Sequence, residues 1–382
     1  MAAPSTATDL VAYANKLLGL SLDLSAEIKK GDLTPVVSAV SPKVADLLAL
    51  DAETDVEGAL NMLADVVAAA LPADQAEAEL KKLLSAATAS TDEKKTLLRL
   101  RVATNVFNKA VAFPALRFDA LVAVIEYASA TGLVNLVSSY FDAIDELLPA
   151  ASLTAVQRRK LLLTVANVVE KEDASSPKVL AFLDKYLATF AGVKDAKELA
   201  TGKDAAVRAT QLVLQQPVGS FLARIDLLSH PVVKATVDAK LFELLEVVSQ
   251  STLHEFAAFQ KANAAVFTAN KIDAAELAAT MRLFTLCSQP TGYDEISYAA
   301  VAKSLDISED EVEQWVVRAI TANLVTAKID QLRRTVVIQR ALQRSFGAEQ
   351  WQDVDAKLQL YKKNVGALLQ TIRSARQAQE QQ

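Results

Sequence analysis

Reactive side chains are scarce in this 382-residue chain, which has one cysteine, two histidines and ten glycines. The single thiol, Cys287, rules out an internal disulfide, and no Asn-x-Ser/Thr acceptor occurs, so a reducing compartment is expected. His230 precedes a proline and His254 lies beside Glu255, and neither belongs to a metal-ligating or nucleophile-activating spacing. There is no Walker loop, no Cys-x-x-Cys, no His-Glu-x-x-His and no Gly-x-Ser-x-Gly, nor a glycine cluster to cradle a phosphate. The expectation is a protein that is not an enzyme and holds no cofactor or metal. Positive charge is short as well. Forty basic against 46 acidic residues leave a net charge of −6, so no global field draws the chain to nucleic acid or to an anionic membrane. The longest uncharged runs, such as "YASATGLVNLVSSYF" at 127–141, are too short and polar to span a bilayer. "MAAPSTATDLVAYANK" has no basic segment ahead of an apolar stretch, so a secretory signal is not expected. These absences describe a soluble, cytoplasmic chain.

What is abundant is Ala, Leu, Val, Lys and Glu, from residue 5 to about 288, a helix-forming composition that is 52% apolar over the whole chain. "SSPKVLAFLDKYLATFAG" shows the grammar. Ser176 stands at the N-cap, Pro177 at the first helical position, Val179, Phe182, Leu183, Tyr186 and Phe190 on one face, and Gly192 at the end. Ser90 and Glu93 have capping-box spacing ahead of "KKTLLRLRVATNVFNKAV". Breaks at Pro114, Gly132, Pro149, Pro217 to Gly219 and Pro231 leave helices of roughly 12 to 20 residues. Without a strand pattern, and with too many helices for one four-helix bundle, stacked helix pairs in an all-α solenoid are the simplest architecture. The Arg158 to Lys160 run is expected on an exposed helix face.

From residue 291 the pattern changes. Tyr298, Val301, Ala302 and Leu305 form one helical stripe, a turn falls at Asp306 and Ile307, and Ser308 with Glu311 makes a capping box. Val312, Trp315, Val316, Ala319 and Ile320 then form the apolar face of a second helix. Period-two alternation follows over Val325, Ala327 and Ile329, then the loop Gln331 to Arg334, and "TVVIQR" returns as a partner strand. Two helices and a hairpin in about 50 residues make a winged helix.

A helix that reads DNA favours Arg, Lys, Asn or Gln at its start, but this one begins Glu309, Asp310, Glu311 and continues to Glu313, acids that repel phosphate. The wing is basic by contrast. Between 316 and 347 stand Arg318, Lys328, Arg333, Arg334, Arg340 and Arg344, with Asp330 as the opposing acid. Protein docking through Lys328, Arg333, Arg334, Val337, Gln339 and Arg340 is the expectation, and direct RNA contact by the wing is the alternative. "TVVIQR" is expected at a sheet edge, open to strand addition.

The last segment carries Trp351, Val354, Leu358, Tyr361, Val365, Leu368, Ile372 and Ala375 at alternating spacings of three and four, a heptad seam sustained over more than three repeats. Such a helix is longer than a winged helix can cover, so part of its seam is expected to meet helices of other chains.

A helical solenoid ending in a winged helix resembles the PCI domain, shared by scaffold subunits of the proteasome lid, the signalosome and eukaryotic translation initiation factor 3. "VTAKIDQLRRTVV" and "RSFGAEQW" resemble most closely the m-type subunits of the initiation factor, a branch of that family, with weaker likeness in "KKTLLRLRVATNVFN" and "RRKLLLTVANVV". The resemblance implies a non-catalytic scaffold that assembles with other PCI and MPN subunits of the factor, within a complex that binds the small ribosomal subunit and recruits mRNA. It also implies C-terminal helices gathered in a bundle. A PCI subunit of the signalosome or proteasome lid is the alternative within the family. The expected divisions are an N-terminal helical region at 1–90, the repeat solenoid at 91–290, the winged helix at 291–347 and the heptad helix at 348–382.

Overall fold

The computed structural model describes residues 3–91, 93–144, 153–174, 176–292, 294–344 and 348–380. The chain forms two compact units, Met1–Gly192 and Val193–Gln382, a division that falls inside the segment 91–290. The first unit is helical throughout its described residues, and the second adds a small sheet to its helices.

In the first unit, the Glu53–Ala70 helix packs on Ala3–Leu18 and on Thr96–Lys109. Thr96–Lys109 in turn packs on Ala73–Thr88 and Pro114–Thr131, and the succession continues through Ala155–Glu172 to Pro177–Ala188. A polar ladder sets the direction of two of these helices. Glu57, Asn61 and Asp65 face Arg101, Asn105 and Lys109, with Arg101 Nη1 3.1 Å from Glu57 and the Asn105 amide donating to Asn61 Oδ1 at 2.8 Å. Both triplets advance by four residues in the same sense, so Glu53–Ala70 and Thr96–Lys109 run parallel and the intervening helix carries the chain back. That is the geometry of stacked helical pairs. Surface ion pairs of this kind contribute about 0–1 kcal/mol each, whereas the buried faces, with Leu60, Leu63, Val102 and Val106, carry the packing.

Local chemistry explains the helix boundaries. Pro114, Pro177, Pro217 and Pro231 all stand at first helical positions, so the expected breaks at 114, 217 and 231 are helix starts. Gly132 terminates its helix at φ 70°, where a side chain would be strained. Ser176 caps its helix by accepting from the Lys178 N–H, and Val179, Phe182, Leu183, Tyr186 and Phe190 are buried as expected. The regular helix ends at Ala188, four residues before Gly192. The Ser90–Glu93 capping box and the break at Pro149 lie outside the described residues and side chains.

In the Arg158 to Lys160 run, Arg158 and Lys160 are exposed as expected, and the residue between them departs from expectation. Arg159 is buried. Its guanidinium lies 3.8 Å from the centre of the Phe190 ring and donates to the Thr189 hydroxyl at 3.1 Å and the Thr189 carbonyl at 3.2 Å. The planar fork satisfies carbonyl and hydroxyl together while its face stacks on the ring, which lysine cannot do.

In the second unit, helices from Ala196 onward lead to Ala274–Cys287, whose Leu283, Leu286 and Cys287 share one core with the winged helix. The fold class is that of helical repeats with a winged helix and a C-terminal helix.

Candidate docking surfaces of the winged helix and tail

The winged helix is assembled from Tyr298–Leu305, a 3₁₀ turn at Glu309–Glu311, Val312–Thr321 and three strands. Tyr298, Val301, Ala302, Leu305, Val312, Val316 and Ala319 are buried together with Leu324, Val325, Val336 and Ile338. Trp315 is packed at the margin and Ile320 is exposed, so the second helix buries a narrower stripe than its sequence suggests. Asp306 makes the turn with φ 53°. Ser308 and Glu311 form the capping box, the Glu311 carboxylate accepting from the Ser308 N–H at 3.1 Å, and the bonds from Ser308 hold the Glu311 pKa below its ordinary value. Burial pushes the Tyr298 phenol up to about 12, aided by its donation to Glu313 Oε1 at 2.9 Å. Burial likewise lifts the Cys287 thiol to about 11, so this lone cysteine is a packed side chain and not a nucleophile.

The sheet corrects one expectation. A two-residue strand β1, Ile296–Ser297, pairs with β3, Thr335–Ala341, which also pairs with β2, Val325–Asp330, giving the order β1-β3-β2. "TVVIQR" is therefore the middle strand and not an edge, because Ile296 and Ser297 pair with Val336 and Thr335, and the Gly292 N–H adds a bond to the Ile338 carbonyl at 2.9 Å. The outer strand of the hairpin is β2. Val337 belongs to the middle strand, half-buried, while Gln339 and Arg340 are exposed near its end.

The wing's charge is also rearranged by the fold. Arg334 lies 3.2 Å from Asp310 and 3.6 Å from Glu309, and over the Tyr298 ring, so the acidic helix start neutralises this arginine. Arg333 pairs with Glu295 at 3.3 Å, and Arg318 with Glu276 at 3.0 Å. Arg344 is not a wing charge at all. It is largely buried over Phe284, donates to the Ser251 carbonyl, and has its pKa lowered by that burial. Among the described residues, Lys328 and Arg340 are the wing cations without an acidic partner, and both are exposed.

At the hairpin apex stands a residue that sequence reasoning missed. Leu332 is 99% exposed, held out by Asp330, whose Oδ1 accepts from the Leu332 and Arg333 N–H groups at 3.0 Å each. The signal in the sequence was an apolar residue inside an otherwise polar four-residue loop.

The tail helix Ala348–Glu380 spans 33 residues. Trp351, Leu358, Tyr361, Leu368 and Ile372 are between 59% and 69% exposed, and Val354 and Val365 are half-covered. Leu360 and Leu369 are also exposed. The Ala375 side chain and most of "RSFGAEQW" lie outside the described residues and side chains. Among the described residues no helix is long and apolar enough to cross a membrane, and no group of three or more metal-ligating side chains is assembled.

Comparison with known proteins matches these features. Residues 260–340 match the PCI domain family, from the helices before the winged helix through β3. A protein of Dictyostelium discoideum named eukaryotic translation initiation factor 3 subunit M is 28% identical over 336 residues, covering 86% of this chain and 81% of the relative. The protein of the same name from Phaeosphaeria nodorum is 27% identical over 372 residues, covering 95% of this chain and 82% of its own length. That of Aspergillus terreus is 27% identical, covering 85% and 72% respectively. The chain thus carries a PCI domain and, over most of its length, resembles subunit M of eukaryotic translation initiation factor 3.

Proposed function

We propose that the chain is a non-catalytic scaffold subunit of eukaryotic translation initiation factor 3, working in the cytoplasm by presenting surfaces to other PCI and MPN subunits. Through that complex it supports binding to the small ribosomal subunit and recruitment of mRNA. The observation that carries this reading is the tail helix, whose heptad seam is unburied within its own chain. Each large seam residue covered by a neighbour contributes about 1.5–3 kcal/mol before ordering costs, so a few of them anchor a subunit. The wing is a second contact, reached through the outer strand β2, the Leu332 apex and the unpaired Lys328 and Arg340, with Arg333 and Arg334 held by acids of their own domain. In this scheme residues 1–90 and 91–290 form the helical platform, 291–347 the wing module and 348–382 the anchor.

Pairing of the wing arginines with acids argues against phosphate binding as the main role of the wing. If the wing gripped RNA, replacing Arg333, Arg334 and Arg340 by alanine would flatten the salt dependence of RNA binding by nearly three units of slope. No such change is expected. The identity is tested by purifying the tagged chain from cytosol and identifying its companions. Initiation-factor subunits with small ribosomal subunits support the proposal, and cullin-related or proteasomal companions would replace it with a signalosome or proteasome-lid role.

A further inference from the structure

We infer that Arg344 is a positioning residue that fixes where the tail leaves the helical platform of its own unit, so that the exposed seam is presented in one direction. The inference rests on the docking role proposed above and adds the device that aims it. Leu342, just past β3, packs against the winged-helix core, and its N–H donates to the Leu324 carbonyl at 3.0 Å. Gln343 is exposed, and Arg344 is covered again. The Arg344 guanidinium lies 5.7 Å from the centre of the Phe284 ring, donates to the Ser251 carbonyl and reaches Met281 Sδ at 3.9 Å. The tail helix starts four residues later, at Ala348. Ser251 ends Ala239–Gln250, and Leu253–Ala262 begins two residues on. One side chain thus ties the exit of the tail to the junction of two platform helices and, through Met281 and Phe284, to Ala274–Cys287.

The same device recurs within the chain. Arg99 donates to the Ala86 and Ala87 carbonyls near the end of Ala73–Thr88, Arg159 to that of Thr189 and Arg282 to that of Leu305. Each joins its helix to the carbonyl end of another, where a cation suits the helix dipole. Those three arginines stand inside helices whose course is set by packing. Arg344 stands outside any helix, in the link to the tail, where its hold decides a direction. Stability alone does not call for a cation there. Burial lowers the Arg344 pKa, and a methionine would fill the space beside Phe284 and Met281 without that desolvation cost. With Arg344 held, Ala348 lies within four residues, about 14 Å, of a fixed point. Released, the tether runs six residues from Leu342, about 20 Å, and the volume open to the start of the helix rises roughly threefold.

The test places spin labels on the full chain at Glu246→Cys and Lys363→Cys, both exposed positions. Cys287 is buried with its thiol held protonated, so it takes no label. Pulsed dipolar spectroscopy should give one narrow distance distribution for the parent and a clearly broader one for Arg344→Met. Arg344→Lys, which keeps the charge and one donor for the Ser251 carbonyl, should lie between them. Arg344→Met should melt at or above the parent's temperature, and in the tagged chain it should weaken retention of companion subunits roughly threefold. A broad distribution in the parent, equal widths in the parent and Arg344→Met, or unchanged retention would overturn the inference. Broadening accompanied by lost hydrogen-exchange protection in β2 and β3 would also overturn it, by showing a structural role. The distances are read on the isolated chain, so they test the hold of Arg344 whether or not other subunits take the seam. That docking role is tested separately by Leu358→Glu with Leu368→Glu.

Discussion

The winged helix and the tail are written in the same periodic language and end in opposite places. Tyr298, Val301, Ala302 and Leu305 repeat at helical spacing and are buried, as are Val312, Val316 and Ala319. Leu358, Tyr361, Leu368 and Ile372 repeat as regularly and face outward. The difference lies in what the chain supplies opposite each stripe. Ala274–Cys287 and the sheet close over the first, and among the described residues nothing comparable covers the second. An amphipathic pattern therefore fixes that a face must be covered, while the covering group is decided elsewhere, in the same chain or in another.

The comparison is broken most forcefully by placing a charge in each stripe. Val301→Asp puts a carboxylate into the closed core with no partner, and a loss of more than about 3 kcal/mol is expected, enough to unfold the winged helix in a denaturant titration. Leu368→Glu makes the same kind of change in the tail, and its unfolding free energy should stay within about 0.5 kcal/mol of the parent. A comparable loss from both would show that the tail is core.

Proline divides the wing itself. Val337→Pro enters the middle strand, removing a donor and crowding the ladder, so the hairpin's amides should lose protection from hydrogen exchange while those of Ala3–Leu18 keep theirs. Retained protection in the hairpin would mean that β3 is not held from both sides. Such a variant tests folding and not docking.

Alkaline pH sharpens the contrast. The Cys287 thiol is raised from an ordinary value near 9 to about 11 by burial, so the folded protein holds this proton more tightly than the unfolded chain. Its stabilising contribution is full below pH 9 and is lost as pH rises through about 11, with Tyr298 following toward 12. Melting followed between pH 8 and 11.5 should show the second unit weakening over that window, an effect that Cys287→Ala reduces. A pH-independent melt there would contradict the assigned burial. The smallest effect is at the cap. Ser308→Ala should cost about 1 kcal/mol, through loss of a side chain that anchors Glu311, and show as a modest fall in the melting temperature. An unchanged melt would mean that the box adds nothing.

The helices, the turn at Asp306, the hairpin and the tail seam were legible in the sequence because each is set by residues within a few positions of one another. What was not legible depends on distant partners. Ile296 and Ser297 are too short a strand to show alternation and become one by meeting Val336 and Thr335 some 40 residues on. Arg159 looked like one cation in an exposed run, and Thr189 and Phe190 bury it. The wing was read as strongly basic because Glu276, Glu295, Glu309 and Asp310, which neutralise Arg318, Arg333 and Arg334, come from other elements. Leu332 was passed over because a single apolar loop residue carries no period.

The central claim is that the tail seam is empty in the isolated chain and filled by other subunits. It is tested most directly by expressing Leu358→Glu with Leu368→Glu in the tagged full chain and quantifying the initiation-factor subunits that co-purify. The account predicts at least a tenfold loss of those companions, equivalent to about 1.4 kcal/mol or more of binding, from a protein that remains folded. Co-purification at the parent's yield would contradict it.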